Sequence, residues 1–400
     1  MNSQNITPNC TPGNTLDLND FTIDSVSEKS LYDEKKSIKK KANLPAKKVN
    51  LTIFPDSMVS TGYYVSPGEV CMIKLDEYTL DATLFAQIGS HNTQLYTLPG
   101  PWHRWPSVVS SFALSPTEEN YISSPFGGIL YFLPDEMNVV EYNLTAYITN
   151  ASVYPYAFKG IPDAYQKSKD SFNPWGEIEC SSIAVTMPTD KLMMIPNVID
   201  LWNHFDSLIF KITEFMNFPV TRPFRLVFDV DMLNDDIVTY PINLHLDYFD
   251  DIILNYQTPT YGTYKLLEKI ALLSIRDNFF DEKTELALAA LVAAVSMKTY
   301  YKQFHLDKDP KIELPFLFRE FWAIHNHSAD LFQKIFEHSQ TSEITHKMAE
   351  EKWIDFVSNL SKFGKYNFTN IFQKVYQIPR DFDESVTNLP EPNFEVDSDP

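Results

Sequence analysis

Short alternating runs of apolar and polar residues dominate the chain from residue 49 onward. Val70–Leu75 and Gly128–Leu133 are examples, and turn residues such as Ser66-Pro67-Gly68 separate one run from the next. Strands that recur roughly every 8 to 12 residues, with turns between them, are typical of a β-sandwich. The pattern therefore predicts a sandwich-like subdomain over residues 49–187. Its predicted strands are Val49–Phe54, Thr61–Val65, Val70–Leu75, Leu84–Ile88, Val108–Leu114, Gly128–Leu133, Val139–Ala146 and Ile183–Thr186.

After residue 188 the apolar residues recur at the spacing of amphipathic helices. In Ile195–Met216, for example, Leu201, Phe205 and Leu208 fall on one helical face. We therefore expect an α+β fold in which a mostly helical domain over residues 188–380 follows the sandwich. The other predicted helices are 262–276, 283–303, 315–338, 347–362 and 366–376, with strands at Arg225–Val230 and Ile242–Leu246 before them.

The two ends of the chain differ in composition from its folded part. Residues 1–48 are polar and end in a lysine-rich cluster, which is typical of a disordered arm, and residues 381–400 are predicted to form an acidic tail. The lysine-rich arm could also serve as a localisation or docking signal.

Charge and cysteine content exclude several classes of function. A formal net charge of −20 repels phosphate groups, so neither nucleic acid nor an anionic membrane surface is an expected partner. The three cysteines, Cys10, Cys71 and Cys180, are too far apart in sequence to suggest a cysteine-based zinc site. The sequence has neither a signal-peptide pattern nor a run of apolar residues long enough to span a membrane, so a cytoplasmic protein is expected from it as written.

Seven sequence segments follow one another in an order that resembles one known family. In chain order they are Thr61–Glu69, Gln87–His91, Trp102–Pro106, Ser124–Tyr131, Pro174–Glu179, Arg222–Val230 with Tyr240–Ile242, and Phe363–Gly364 with Phe368, Phe372 and Tyr376. Together they resemble the enhancin-like, mucin-directed zinc metallopeptidases over residues 50–380. The TRP-channel-associated factors look like relatives with the same module. The resemblance implies an N-terminal β-sandwich, a gluzincin-like, mostly helical metallopeptidase domain and C-terminal helices.

The family's zinc site uses the motif HExxH on one helix and a glutamate on the next. Two residues four positions apart lie on one helical face, so both imidazoles reach one metal while the glutamate between them activates its water. The resemblance places these positions on Glu268, Lys269, Leu272 and, for the last ligand, Glu285. Only Glu285 matches the family's residue type at its position. The motif is absent from the whole chain, because no two of its nine histidines are four positions apart.

A peptidase scaffold without its histidine pair favours a catalytically inactive protein that needs no cofactor and acts by binding a protein, a glycoprotein or a glycan. Two alternatives stay open. The chain could be a zinc metallopeptidase with unusual ligands, such as Glu268 and Glu285 with a distant histidine. It could also be an interaction or regulatory protein similar to the TRP-channel-associated factors, with its function in the arm and the tail.

Large aromatic residues cluster beside proline-rich turns in the predicted sandwich. Tyr96, Trp102 and Trp105 lie within ten positions of one another. Exposed aromatic rings can stack on sugars, but residues of this size are more often packed in a core. Core packing is therefore the expectation for these three residues.

Overall fold

The computed structural model describes residues 45–393, except 56, 77–82, 136–140, 162, 221, 233–237, 307–310, 344–346, 374–378 and 380–381. Within it, Ala46–Pro400 forms one compact unit. Nearly all of the predicted lysine-rich arm lies outside the described residues. Among those residues, no helix is both long and apolar enough to cross a membrane.

Three β-sheets account for the strands that the structure describes. The first has the order β1-β8-β3-β6, the second β5-β4-β7-β2-β9, and the third β10-β11-β12-β13-β14. The strands are β1 Lys47–Ile53, β2 Val59–Val65, β3 Val70–Asp76, β4 Leu84–Ile88, β5 Ser110–Ala113, β6 Asn120–Ser123, β7 Gly128–Pro134, β8 Tyr142–Thr149, β9 Ser152–Val153, β10 Tyr156–Phe158, β11 Trp175–Glu179, β12 Ile183–Pro188, β13 Phe224–Asp229 and β14 Ile242–His245.

The first two sheets pack face to face and form the predicted sandwich, and the third sheet covers the outer face of the second. Strand β7 shows both contacts. Leu130 and Phe132 point into the sandwich core, whereas Ile129 and Tyr131 pack toward the third sheet. Since successive side chains of a strand point to opposite faces, a strand covered on both sides is apolar throughout. This explains why Gly128–Leu133 reads as a nearly unbroken apolar run.

The third sheet runs through the domain boundary expected at residue 187. Its strand β12 was expected to belong to the sandwich, but it pairs with β11 and, in parallel, with β13. The sandwich sheets end at Val153, and the chain enters the third sheet at Tyr156. A two-layer sandwich therefore extends over a shorter range than 49–187. The sequence shows strands at these positions but not which sheet each one joins.

Helices cover the other face of the third sheet and build the largest apolar core. Two ends of the central helices show why they begin where they do: the side chains of Thr260 and Asp281 accept hydrogen bonds from the first free backbone N–H groups. The helices are α1 Ala164–Ser168, α2 Thr189–Leu192, α3 Val198–Met216, α4 Tyr261–Ser274, α5 Glu282–Tyr300, α6 Phe318–His327, α7 Leu331–Thr341, α8 Ala349–Gly364, α9 Thr369–Phe372 and α10 Glu384–Thr387, with a 3₁₀ turn at Leu246–Tyr248 and a π turn at Asp250–Leu254.

Two sequence expectations for the C-terminal part need correction. The helix expected over 315–338 is two helices, because α6 ends at His327 and α7 begins at Leu331. The tail expected over 381–400 is part of the fold up to residue 390. Phe382 and Val386 are buried in the helical core, and the backbone N–H of Asn367 donates to the carbonyl oxygen of Pro390. The mixed architecture, with β-sheets first and helices after them, is confirmed.

Candidate functional site

Helix α4, which follows β13, β14 and the π turn, carries three of the positions at which the sequence resemblance expects the zinc chemistry. Glu268, at the first histidine position, forms an ion pair with Lys265, with 2.9 Å between its Oε2 and the Lys265 Nζ. Lys269, at the base position, is 2% exposed, so its side chain is packed inside the protein. Leu272, at the second histidine position, is half-buried and packs on the helical core. Of these three side chains, only the Glu268 carboxylate has the chemistry of a zinc ligand, and it is already paired with Lys265.

Leu272 and Glu285 line one cavity of about 390 Å³, together with acidic residues and one lysine. Glu268 is not among the side chains that line it. The remaining charged residues of the cavity are Asp277, Asp281, Glu282 and Lys352. We call this space the α4–α5 cavity.

Glu285 has an unusual environment for a glutamate close to the surface. Burial raises the pKa of its carboxyl to about 6, Lys352 acts in the opposite direction, and Asp277, Asp281 and Glu282 raise it further. Lys352 reaches the cavity from α8, where its Nζ also lies 3.4 Å from the carbonyl oxygen of Phe280. An ammonium group thus stands in the same cavity as Glu285, the glutamate at the expected position of the last zinc ligand.

No group of three or more His, Cys, Asp or Glu side chains is placed to hold a metal ion anywhere in the described part of the chain. Asp235, Asp236 and His346 lie outside the described residues. His325 and His327 do lie on one helix, α6, two positions apart.

A buried ion pair joins the sandwich to the third sheet. The Arg225 Nη1 donates to the Glu177 Oε1 at 2.6 Å, and both side chains are at most 4% exposed. Arg225 also donates to the Ser60 Oγ and to the carbonyl oxygen of Met58, both beyond the sheet boundary. Burial alone would raise the pKa of Glu177, but Arg225 and the surrounding hydroxyl donors hold it below its ordinary value. These donors are Ser60, Tyr131, Tyr154 and Thr186.

A second ion pair fixes the loop between β4 and β5, which we call the aromatic loop (residues 92–109). The guanidinium of Arg104 donates twice to the fully buried carboxylate of Asp229, through Nε and Nη2 at 2.7 Å each. The backbone N–H groups of His103 and Arg104 both donate to Asp231. The segment Trp102–Pro106, one of the seven that resemble the family, therefore holds the loop against the end of β13.

The expectation that the loop's aromatic residues are core residues is wrong. Tyr96 is 67% exposed, Trp105 64% and Trp102 40%. The Trp105 ring lies 6.1 Å from that of Phe126, which is also exposed, and the Trp102 Nε1 donates to the carbonyl oxygen of Leu98. The tertiary contacts of Arg104 hold the loop on the surface, so its rings face solvent.

Sequence reasoning did not single out Glu177 and Arg225 as a pair. Each lies in a strand between two uncharged neighbours. A charged residue that is buried at such a position must find a partner, because burying an isolated charge is very costly. That signal was present in the sequence, although it does not reveal the partner 48 positions away.

Comparison with known proteins finds a matching family and similar sequences. Residues 40–139 match the family described as the N-terminal domain of M60-like peptidases. In sequence, the chain is 29% identical over 206 residues to TRPM8 channel-associated factor 2 of Mus musculus, a match that covers 50% of this chain and 22% of that protein. The matching region is thus a small part of the curated relative's length.

Solved structures share the fold. The M60 catalytic domain of ZmpB from Clostridium perfringens, solved with two carbohydrate-binding modules, superposes with a TM-score of 0.65 and 13% identity over 88% of this chain and 43% of that chain. IMPa from Pseudomonas aeruginosa, solved in complex with an O-glycopeptide, has a TM-score of 0.66 and 11% identity over 88% of this chain and 53% of that chain. At this identity the likeness concerns the fold. The family resemblance seen in the sequence is confirmed.

Proposed function

We propose that this member of the M60-like, enhancin-like peptidase family acts by binding a protein, glycoprotein or glycan and does not hydrolyse it. The proposal separates two properties that the family's enzymes combine. The fold that presents a binding surface is kept over sheets and helices alike, whereas the side chains that would hold and use zinc are replaced.

The observation that carries the proposal is the set of side chains at the zinc positions. Leucine has no donor atom for a metal, and the ammonium of Lys269 would repel a cation where the family has its general base. Glu268 and Glu285 are carboxylates, but Glu268 is paired with Lys265 and does not line the cavity of Glu285. Two carboxylates also cannot supply the three or four ligands of a zinc site. The residues present do not fit a zinc ion, so no catalytic step is derived through one.

The ammonium of Lys352 supports the same conclusion. It shares the α4–α5 cavity with Glu285 and stabilises the charged form of its carboxylate. We infer that Lys352 supplies the positive charge that zinc would provide in an active relative. Because a resident cation on the chain competes with a metal for one carboxylate, it further lowers the affinity for zinc.

The names of two relatives favour a binding role. One is described as a channel-associated factor, and the other was solved with an O-glycopeptide bound. These descriptions belong to those proteins, but both are consistent with a fold that holds protein or glycoprotein partners. The partner class proposed for this chain follows from them.

A cleavage assay tests the proposal. The full chain is incubated with zinc, dialysed, and mixed with casein or an O-glycosylated peptide, with and without a chelator. We expect no cleavage that the chelator abolishes. Glu282→Ala is the matched control for Glu285→Ala, because both glutamates lie in the first turn of α5. Chelator-sensitive cleavage that is lost in Glu285→Ala and kept in Glu282→Ala would contradict the proposal.

The sequence similarity to TRPM8 channel-associated factor 2 favours a second candidate, a regulatory subunit of a membrane channel. It predicts that the purified chain co-elutes with a detergent-solubilised TRPM8 channel. Elution of the two proteins in separate peaks, at concentrations where a known associated factor binds, would exclude this candidate.

A further inference from the structure

A second cavity lies between the sandwich and the third sheet, away from the α4–α5 cavity. Its volume is about 370 Å³, within the range of roughly 300 to 1,000 Å³ that is usual for small-molecule sites. Strand β4 supplies Gln87, the aromatic loop supplies Asn92, Thr93, Gln94 and Ser107, and the segment before β14 supplies Tyr240. We call it the junction cavity.

The described residues that line the junction cavity include no Asp, Glu, Lys or Arg. His91 is its one titratable group besides Tyr240, and burial lowers the pKa of His91 to about 4. The nearest carboxylate to His91, that of Asp229, is neutralised by the two hydrogen bonds from Arg104. An uncharged lining disfavours ionic ligands, because a charge transferred from water into it would find no counter-charge.

The lining has hydrogen-bonding groups that the fold does not use. The Gln87 Nε2 donates to the carbonyl oxygen of Gly89, but its Oε1 has no hydrogen bond to the described part of the protein. Gln94 and Ser107 add a second carboxamide and a hydroxyl to the lining. These groups are a mixture of donors and acceptors, which is the chemistry that binds hydroxyl groups.

A buried acceptor stands directly behind the cavity wall. Asn243 is 5% exposed, and its Nδ2 donates to Asn92 and Thr93, both of which line the cavity. Its Oδ1 is buried with no hydrogen-bond partner among the described residues. Through the two hydrogen bonds of its Nδ2, Asn243 holds Asn92 and Thr93 in place from behind the wall.

The aromatic loop links the cavity to the exposed rings. The backbone N–H of Leu95 donates to the carbonyl oxygen of Pro106 at 3.0 Å, so the two limbs of the loop lie side by side there. Gln94 and Ser107, each next to one of the bonded residues in sequence, line the cavity. Tyr96 and Trp105, their neighbours on the opposite side in sequence, are exposed. The ion pair of Arg104 holds the loop in place, so these rings are positioned before any ligand arrives.

We propose that the junction cavity and the exposed rings beside it form a binding site for a neutral, hydroxyl-rich ligand, a sugar residue. Carboxamide and hydroxyl groups would bind its hydroxyls, and the rings would cover its apolar C–H face. The proposal rests on the proposed function in that both assign the chain a binding role, but it names a site outside the old catalytic cleft.

The test uses the full chain and neutral sugars as probes. Galactose, mannose, N-acetylglucosamine and a neutral trisaccharide are titrated by ligand-observed NMR, with glucuronate as the charged comparison. We expect at least one neutral sugar to bind and glucuronate to bind at least tenfold more weakly. The trisaccharide distinguishes a site for a free monosaccharide from a site for a sugar within a longer glycan.

Two pairs of exposed-residue variants locate the binding without threatening the fold. Gln94→Ala should weaken sugar binding about fivefold and Trp105→Ala about tenfold. The matched controls Gln166→Ala on α1 and Phe172→Ala should leave it unchanged, since both residues are exposed elsewhere. Absence of binding to every neutral sugar, or binding that neither Gln94→Ala nor Trp105→Ala changes, overturns the proposal.

The two proposals fail in different ways. A chain that cleaves nothing and binds no neutral sugar overturns the sugar site and leaves the binding role standing. A chain that binds sugar at this site and also shows chelator-sensitive cleavage supports the sugar site and overturns the inactive-peptidase proposal.

Discussion

The junction between the sandwich and the third sheet and the cavity between α4 and α5 use charged residues in opposite ways. At the junction, Glu177 with Arg225 and Asp229 with Arg104 are buried or nearly so, and each carboxylate has an arginine at hydrogen-bonding distance. In the α4–α5 cavity, Glu285 stands among other acids with its pKa raised to about 6. The first arrangement stabilises the fold, and the second does not.

The two regions also differ in how far their residues resemble the family. Segments that match the family, such as Trp102–Pro106 and Arg222–Val230, contain the residues of the junction. Two of the positions at which the resemblance expects the family's zinc-binding motif contain Lys269 and Leu272. The resemblance thus includes residues of the architecture, whereas the proposed loss of the catalytic centre rests on the latter two positions. The variants below are ordered by how strongly they test that contrast.

Breaking the junction at its centre should have the largest effect. Replacing Arg225→Met leaves the buried Glu177 carboxylate without its counter-charge, which typically costs about 3–5 kcal/mol of stability. The free energy of unfolding, measured by urea denaturation, should fall by that amount. The double variant Arg225→Met with Glu177→Gln should recover part of the loss. A loss below about 1 kcal/mol in the single variant would show that the junction does not stabilise the fold.

Removing Arg104 tests the second ion pair and should cost less. Arg104→Ala deprives the buried Asp229 of two hydrogen bonds, but the 10% exposure of Arg104 lets water reach the site. We expect a loss of about 2–3 kcal/mol in unfolding free energy. Arg319→Ala is a matched control, because Arg319 is exposed on α6. Equal losses in the two variants would contradict the account.

The α4–α5 cavity should show a small effect with a defined pH dependence. An acid whose pKa is raised on folding contributes stability below its unfolded pKa, here the ordinary value of 4.5, and loses that contribution as the pH rises through about 6. Glu285→Gln removes this dependence. The variant should therefore gain at most about 1 kcal/mol relative to the wild-type chain between pH 4 and pH 7, since solvent screens a half-exposed group.

The control for this pH effect is Glu118→Gln, because Glu118 is exposed between β5 and β6 and does not line the α4–α5 cavity. Its stability should follow the wild-type pH profile. Suppose instead that Glu285→Gln loses stability relative to the wild-type chain as the pH rises. Glu285 would then be held as a carboxylate by a strong partner, as a metal-ligating residue would be.

The exposed ring of Trp105 should matter least for stability. Trp105→Ala removes a ring that packs mainly on Phe126 at the surface, so the change in unfolding free energy should stay within about 0.5 kcal/mol. A loss above about 2 kcal/mol would show that the ring is a core residue after all.

Most strands and helices could be predicted from the sequence because their periodicity is local. The strands of β2, β3, β4, β7, β13 and β14 and the helices α3, α4 and α5 lie where the patterns indicate. Sheet membership could not be predicted, because β12 is a mostly apolar strand that is buried almost throughout, and such a strand fits any covered sheet. Its partners are β11 and β13. The exposure of Trp105 was also missed, since it depends on a contact between Arg104 and Asp229, 125 positions apart.

For the candidate site, sequence spacing establishes that HExxH is absent, and the structure adds what surrounds the positions. The cavity shared by Leu272 and Glu285 could be anticipated from helical spacing on neighbouring helices. The presence of Lys352 could not, because α8 reaches this cavity from more than sixty positions away in sequence. The junction cavity has no sequence signature, since five separate segments of the chain supply its walls.

The metal content of the purified chain tests the central claim most directly. The full chain is loaded with excess zinc, dialysed, and analysed for zinc by mass spectrometry beside Glu285→Ala. We predict far less than one bound zinc per chain and no difference between the two proteins. About one zinc per wild-type chain that survives dialysis and is lost in Glu285→Ala would contradict the account.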